Sequence, residues 1–122
     1  MATKTTGPLY VEPKHRCGDD RFLLLLSNMT GSDVNVTLQH YAAEFTAPAL
    51  PENWINVLTT VVAVPNETVA NLILPIGKDF PYHQFFIDPD SSDVLPVLYL
   101  LENLSDAVQD FPLVPAGDWL TV

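Results

Sequence analysis

The stretch Val34-Asn35-Val36-Thr37-Leu38-Gln39-His40-Tyr41-Ala42 sets Val34, Val36, Leu38, His40 and Ala42 on one side of an extended chain and Asn35, Thr37, Gln39 and Tyr41 on the other. A repeat of two is the period of a β-strand, whose successive side chains point to opposite faces, and it does not build the stripe of a helix. Residues 34–42 therefore read as a strand with one face on a core and one toward water. His40 falls on the core side, where a hydrogen-bonded buried imidazole is expected. Tyr41 falls on the outer side.

Upstream, Phe22-Leu23-Leu24-Leu25-Leu26 is a continuous apolar run, joined to the alternating stretch by the polar turn cluster Ser27-Asn28-Met29-Thr30-Gly31-Ser32-Asp33. That is the pattern of two strands linked by a turn. Downstream, strand-like runs cover residues 55–64, 68–76, 82–87, 94–101 and 119–122, and residues 9–11 add a short edge strand. Residues 22–26, 34–42 and 55–64 are expected to be the central strands. Eleven prolines and five glycines, nearly all between the runs, break the chain too often for a helical bundle. Pro96 lacks a ladder donor, which predicts an edge position for 94–101. Residues 102–110 carry apolar side chains at helical spacing and read equally as a short helix or an extended connection. The expected fold is all-β: a two-sheet antiparallel sandwich, jelly-roll or immunoglobulin-like, preceded by an extended N-terminal arm.

Charge divides the chain of 122 residues. Residues 1–21 hold four bases, Lys4, Lys14, Arg16 and Arg21, against three acids, a net of +1; residues 22–122 hold one base, Lys78, against twelve acids, a net of -11. Pro8 and Pro13 favour an extended course for the leading segment, which lacks a sustained apolar period. Residues 1–21 are thus expected to be an arm whose Lys4, Lys14, Arg16 and Arg21 meet acidic surface on a neighbouring subunit, and residues 22–122 the sandwich domain. With Tyr41 as an exposed aromatic, these are the expected partner-binding residues.

A net charge of -10 argues against a broad nucleic-acid or anionic-membrane surface, which needs clustered Lys and Arg. No run approaches the ~20 apolar residues of a spanning helix. Residues 1–8 have no apolar stretch after Lys4, so no secretory signal is expected and the chain reads as cytoplasmic. The N-x-[ST] matches at Asn28, Asn35, Asn66 and Asn103 accordingly read as turn and strand-edge chemistry.

Cys17 is the only cysteine, so an internal disulfide and a multi-cysteine zinc site are excluded. His15 and Cys17 form an H-x-C pair, but a tetrahedral metal needs two more ligands and only His40 and His83 remain as nitrogen donors. Asp88, Asp90 and Asp93 gather three carboxylates in a loop that lacks the calcium-loop spacing and reads as a solvated turn. No nucleotide-binding, metalloprotease or serine-hydrolase motif is present. No cofactor, no metal and no enzymatic activity are expected.

The closing stretch Phe111-Pro112-Leu113-Val114-Pro115-Ala116-Gly117-Asp118-Trp119-Leu120-Thr121-Val122 resembles the endings of small β-sandwich virion proteins of tailed phages, the head decoration or cement proteins. The resemblance implies a non-enzymatic homo-oligomer, often a trimer, that sits on a capsid or similar shell and reinforces it, assembled in the host cytoplasm and carried in the virion. It transfers no site residues. The competing expectation is a sandwich that binds carbohydrate through Tyr41, Trp54 or Trp119.

Overall fold

A computed structural model describes residues 3–11, 21–43, 54–75, 80–88, 93–101 and 112–121. Nine strands build two antiparallel sheets packed face to face: β1 (Lys4–Thr5), β2 (Leu9–Tyr10), β3 (Arg21–Asn28), β4 (Val34–Ala43), β5 (Ile55–Val64), β6 (Val69–Pro75), β7 (Tyr82–Asp88), β8 (Val94–Leu101) and β9 (Leu120–Thr121). The larger sheet runs β5-β4-β7-β1-β9, with β2 also on β7; the smaller runs β6-β3-β8. The protein is an all-β sandwich.

The alternation of residues 34–42 becomes burial alternation. Val36, Leu38, His40 and Ala42 are buried, and the residues between them are half-buried; only at the end of the strand does the alternation stop, where Ala43 is buried as well. β7 repeats the device with His83, Phe85 and Ile87 inward. From the smaller sheet, Phe22, Leu24, Leu26, Val94 and Leu98 meet them, and Val64, Leu74, Val114 and Trp119 close the same core. Interleaving inner faces in this way is how two twisted sheets exclude water between them.

Two β-turn devices fix the corners. Asn28 is fully buried at the end of β3, and its Nδ2 donates to Ser32 O (2.8 Å) and Val64 O (2.9 Å) while its Oδ1 accepts from Thr30 N (3.0 Å) and Thr30 Oγ1 (2.7 Å). That uses the whole amide, so the Asn28 sequon is turn chemistry. Asn66 plays a similar part: its N donates to Asp33 Oδ1 and its Oδ1 accepts from Gly31 N, tying the β3–β4 turn to the β5–β6 turn. In the latter turn Thr68 N bonds Pro65 O at 3.2 Å, and Glu67 takes a left-handed φ of 60°.

Two expectations are corrected. Residues 55–64 do form a strand, but β5 is the end of its sheet, not a central member; its charge-free, β-branched composition imitates a buried strand. The boundary after residue 21 does not separate an arm from a body. β1 pairs with both β7 and β9, β2 pairs with β7, Val11 is in the core, and Arg21 is the first residue of β3. Thr5 pairs with Phe86 and Leu9 with His83, so Thr6, Gly7 and Pro8 face only two residues of β7. Gly7 absorbs this extra residue with a φ of 68°, and buried hydroxyls replace the lost ladder: Phe85 N donates to Thr6 Oγ1 (3.0 Å) and Gln84 Nε2 to Thr5 Oγ1 (3.2 Å). The edge position expected for residues 94–101 is found, with Pro96 opposite Leu26 on β8. Residues 102–110 and Asp90 lie outside the described residues.

Candidate functional site

Three surfaces or clusters have the chemistry to do something, and each follows from the strand parity. The first is the buried histidine pair. Ala42 pairs with His83 and His40 with Phe85, which sets the two imidazoles diagonally across β4 and β7 on the inner face. His40 Nε2 lies 3.0 Å from His83 Nδ1, and His83 Nε2 lies 2.8 Å from Phe80 O. A carbonyl only accepts, so His83 Nε2 carries the proton. Neutral His83 then offers Nδ1 as an acceptor, and His40 Nε2 donates to it. His40 Nδ1 is left as a buried lone pair with no partner among the described residues. Burial, and then the neighbouring His83 ring, pushes the His40 pKa from 6.5 down to about 3. His40 also stacks on Phe85 (4.4 Å, 10°), and Phe22 packs edge-on against His40, His83 and Phe85. A buried, aromatic-clamped pair of this kind specifies packing. It does not present a nucleophile or a base to solvent.

The second is the outer face of the larger sheet. Its β4 contribution is Asn35, Thr37, Gln39 and Tyr41, and register places Asn56 of β5 and Gln84 of β7 beside Tyr41. Phe86 stands edge-on to Tyr41 at 5.6 Å, and Tyr10 meets Tyr82 at 5.3 Å. Tyr41 is half-buried here, on the outward face as its parity requires, and of the adjacent pair Phe85 is in the core and Phe86 turned away.

The third is the outer face of the smaller sheet. Register sets Ile73, Leu23 and Tyr99 in one row, Asn71, Leu25 and Val97 in the next, and Val69, Ser27 and Leu95 in the third. Seven of these nine side chains are apolar and none is charged. Val69 and Ile73 are 56% and 57% exposed. Leu95 is 40% exposed, whereas Leu23 is buried and Leu25, Val97 and Tyr99 are half-buried, so the open part of this face lies on the two outer strands, along Val69, Ile73 and Leu95.

The expected partner-binding residues do not converge. Lys4 points between the sheets, where its Nζ donates to Val94 O at 3.0 Å and ties the larger sheet to the smaller. Arg21 opens β3 in the other sheet, and Tyr41 lies on the far face of β4. Lys14 and Arg16, with His15 and Cys17, lie outside the described residues. Trp119, expected as a possible sugar platform, is in the core. Among the described residues no three His, Cys, Asp or Glu side chains are grouped to hold a metal ion, and no helix is long and apolar enough to cross a membrane. The histidine pair was half legible: parity puts His40 and His83 each facing inward, but their adjacency depends on which strands become neighbours. Compared with protein families, with characterised proteins and with solved structures, the chain matches none.

Proposed function

We propose that this chain is a non-enzymatic assembly protein, a subunit that reinforces a capsid or similar shell as the decoration and cement proteins do. The observation that carries the reading is the apolar patch on the outer face of the smaller sheet, three rows without a charge beyond the Arg21 end of β3, on a domain whose overall charge is -10. A shell protein with a complementary apolar patch would bury Val69, Ile73 and Leu95 there. The acidic remainder of the surface would keep the subunit soluble until it docks. Proteomics of gradient-purified particles from the source tests it: recovery of the chain in stoichiometric amount with a shell protein is expected, and recovery only in particle-free fractions overturns it.

A second reading has its own observation. The outer face of the larger sheet sets Tyr41 and Phe86 among Gln39, Gln84 and Asn56, a mix of aromatic rings and uncharged hydrogen-bonding groups suited to the face and hydroxyls of a sugar. Binding on a glycan array that Tyr41→Ala abolishes would favour it over assembly.

A further inference from the structure

Strand β5 reads Ile55-Asn56-Val57-Leu58-Thr59-Thr60-Val61-Val62-Ala63-Val64, with no charge and no proline, and it ends the larger sheet. Its ladder is to β4 alone. Beyond that ladder, the one hydrogen bond to its backbone among the described residues is Asn28 Nδ2 to Val64 O. Alternate N–H and C=O groups along its far side therefore point out of the sheet without a strand to receive them. Ile55 and Val61 are 52% and 62% exposed. Sheet edges normally carry a lysine, a proline or an inward charge that blocks pairing, and β5 has none of these. Its only irregularity is at Val57, skipped between the pairs His40–Leu58 and Tyr41–Asn56, which leaves residues 58–64 as a regular pairing edge.

We propose that this edge is the seam between two copies of the chain, β5 pairing antiparallel with β5 of a second copy about a two-fold axis at Val61. The occupant follows from parity and charge. A two-fold at one residue pairs positions of like parity, so core-facing Leu58 and Thr60 meet the second copy's Val64 and Val62, and solvent-facing Thr59 meets Ala63. Both sandwiches then continue one into the other with faces matched and hydrogen-bonding groups in phase. Two copies of a chain with 15 acidic residues repel wherever carboxylates meet, and β5 holds none of them. A basic partner would find nothing to pair with here. Because one strand's edge buries less than the ~800 Å² per partner of a standard interface, the dimer is reversible and concentration-dependent. The contact is isologous and is satisfied by two copies, so it does not build the trimer that the decoration-protein resemblance implies.

The seam deepens the assembly reading and rests on it for its biological use, but the tests separate. The full chain is followed by sedimentation velocity over a wide concentration range, beside Val61→Lys, and beside Val61→Cys in a Cys17→Ser background under mild oxidation. The wild type should pass from monomer to dimer. Val61→Lys sets like charges directly opposite each other and should remain monomeric with an unchanged circular dichroism spectrum. Val61→Cys should form an interchain disulfide, because opposed strand residues lie within bridging distance. A wild type monomeric throughout, a Val61→Lys protein that dimerises normally, or a dimer in which Val61→Cys forms no bridge would each overturn the seam. Protection of β5 amides from hydrogen exchange only after a shell protein is added would also overturn self-pairing, while leaving assembly standing. A dimer built on β5 in a protein absent from particles would do the reverse.

Discussion

His40 and His83 share one proton-donor chain inside the sandwich: His40 Nε2 donates to His83 Nδ1 across 3.0 Å, and His83 Nε2 donates to Phe80 O across 2.8 Å. The chain runs one way, from the middle of β4 toward the loop before β7, and it holds only while His83 Nδ1 carries no proton. A proton added to His40 would have to be buried against Phe22 and Phe85.

That arrangement gives the fold an acid limit. His40 in the unfolded chain titrates near 6.5 and in the folded one near 3, so between those values the unfolded state binds more protons and stability falls as pH falls. The full contribution is present above pH 6.5. The expected slope from this group is at most about 1.4 kcal/mol per pH unit. Urea unfolding from pH 7 to pH 4 measures it, and His40→Leu should lose one proton's worth of slope, since every carboxylate titrates in both proteins.

Asn28→Ala removes two donors and an acceptor from a side chain that is itself fully buried. Val64 O and Thr30 N lose their partner together, Ser32 O keeps only Thr30 Oγ1, and a cost of about 2–4 kcal/mol is expected. The denaturation midpoint checks it, and Asn28→Asp should be no better, because a carboxylate cannot donate to the two carbonyls.

Deleting residues 1–11 should destabilise the domain, not merely free a tail. Val11 belongs to the core, Thr5 and Thr6 are buried in the β7 ladder, and Lys4 links the two sheets. Burial of Val11 alone is worth about 1.5 kcal/mol or more. A truncated protein whose melting temperature equals that of the full chain would refute this.

Glu67→Gly should stabilise by about 0.5–1 kcal/mol. Glu67 occupies a left-handed φ of 60° at the third position of the Pro65–Thr68 turn, where glycine meets no Cβ penalty. Thermal unfolding of the variant is the measurement, and Glu67→Val should move the other way.

The sequence made the sandwich legible where one face is wet. Residues 34–42 and 82–87 alternate because water and core lie on opposite sides, and their strands came out within a residue or two. It was less informative where both faces are apolar. Residues 22–26 read as an apolar run because Leu23 and Leu25 lie on the outer face beside Ile73, Tyr99 and Val97, so composition could not tell the inner face of the strand from its outer one. β5 was misplaced for the same reason: ten uncharged residues look buried, and nothing local says that a strand has one neighbour instead of two. β1 left no periodic signal at all, since two residues and a pair of threonine hydroxyls make its contacts. Lys4 read as a surface base because a lone charge gives no sign of a buried carbonyl waiting at Val94.

β1 lies between β7 and β9, so Lys4 and Thr5 are hydrogen-bonded neighbours of Thr121 and Leu120. On a ribosome, the first strand emerges long before either of its partners exists. It must wait as an unpaired segment until residue 88 and then residue 121 have left the exit tunnel. The loop that this ladder closes is nearly as long as the whole sequence, which gives the domain a high contact order and places β1–β9 pairing late in folding. Mutations at Leu120 should therefore speed unfolding and leave the folding rate almost unchanged.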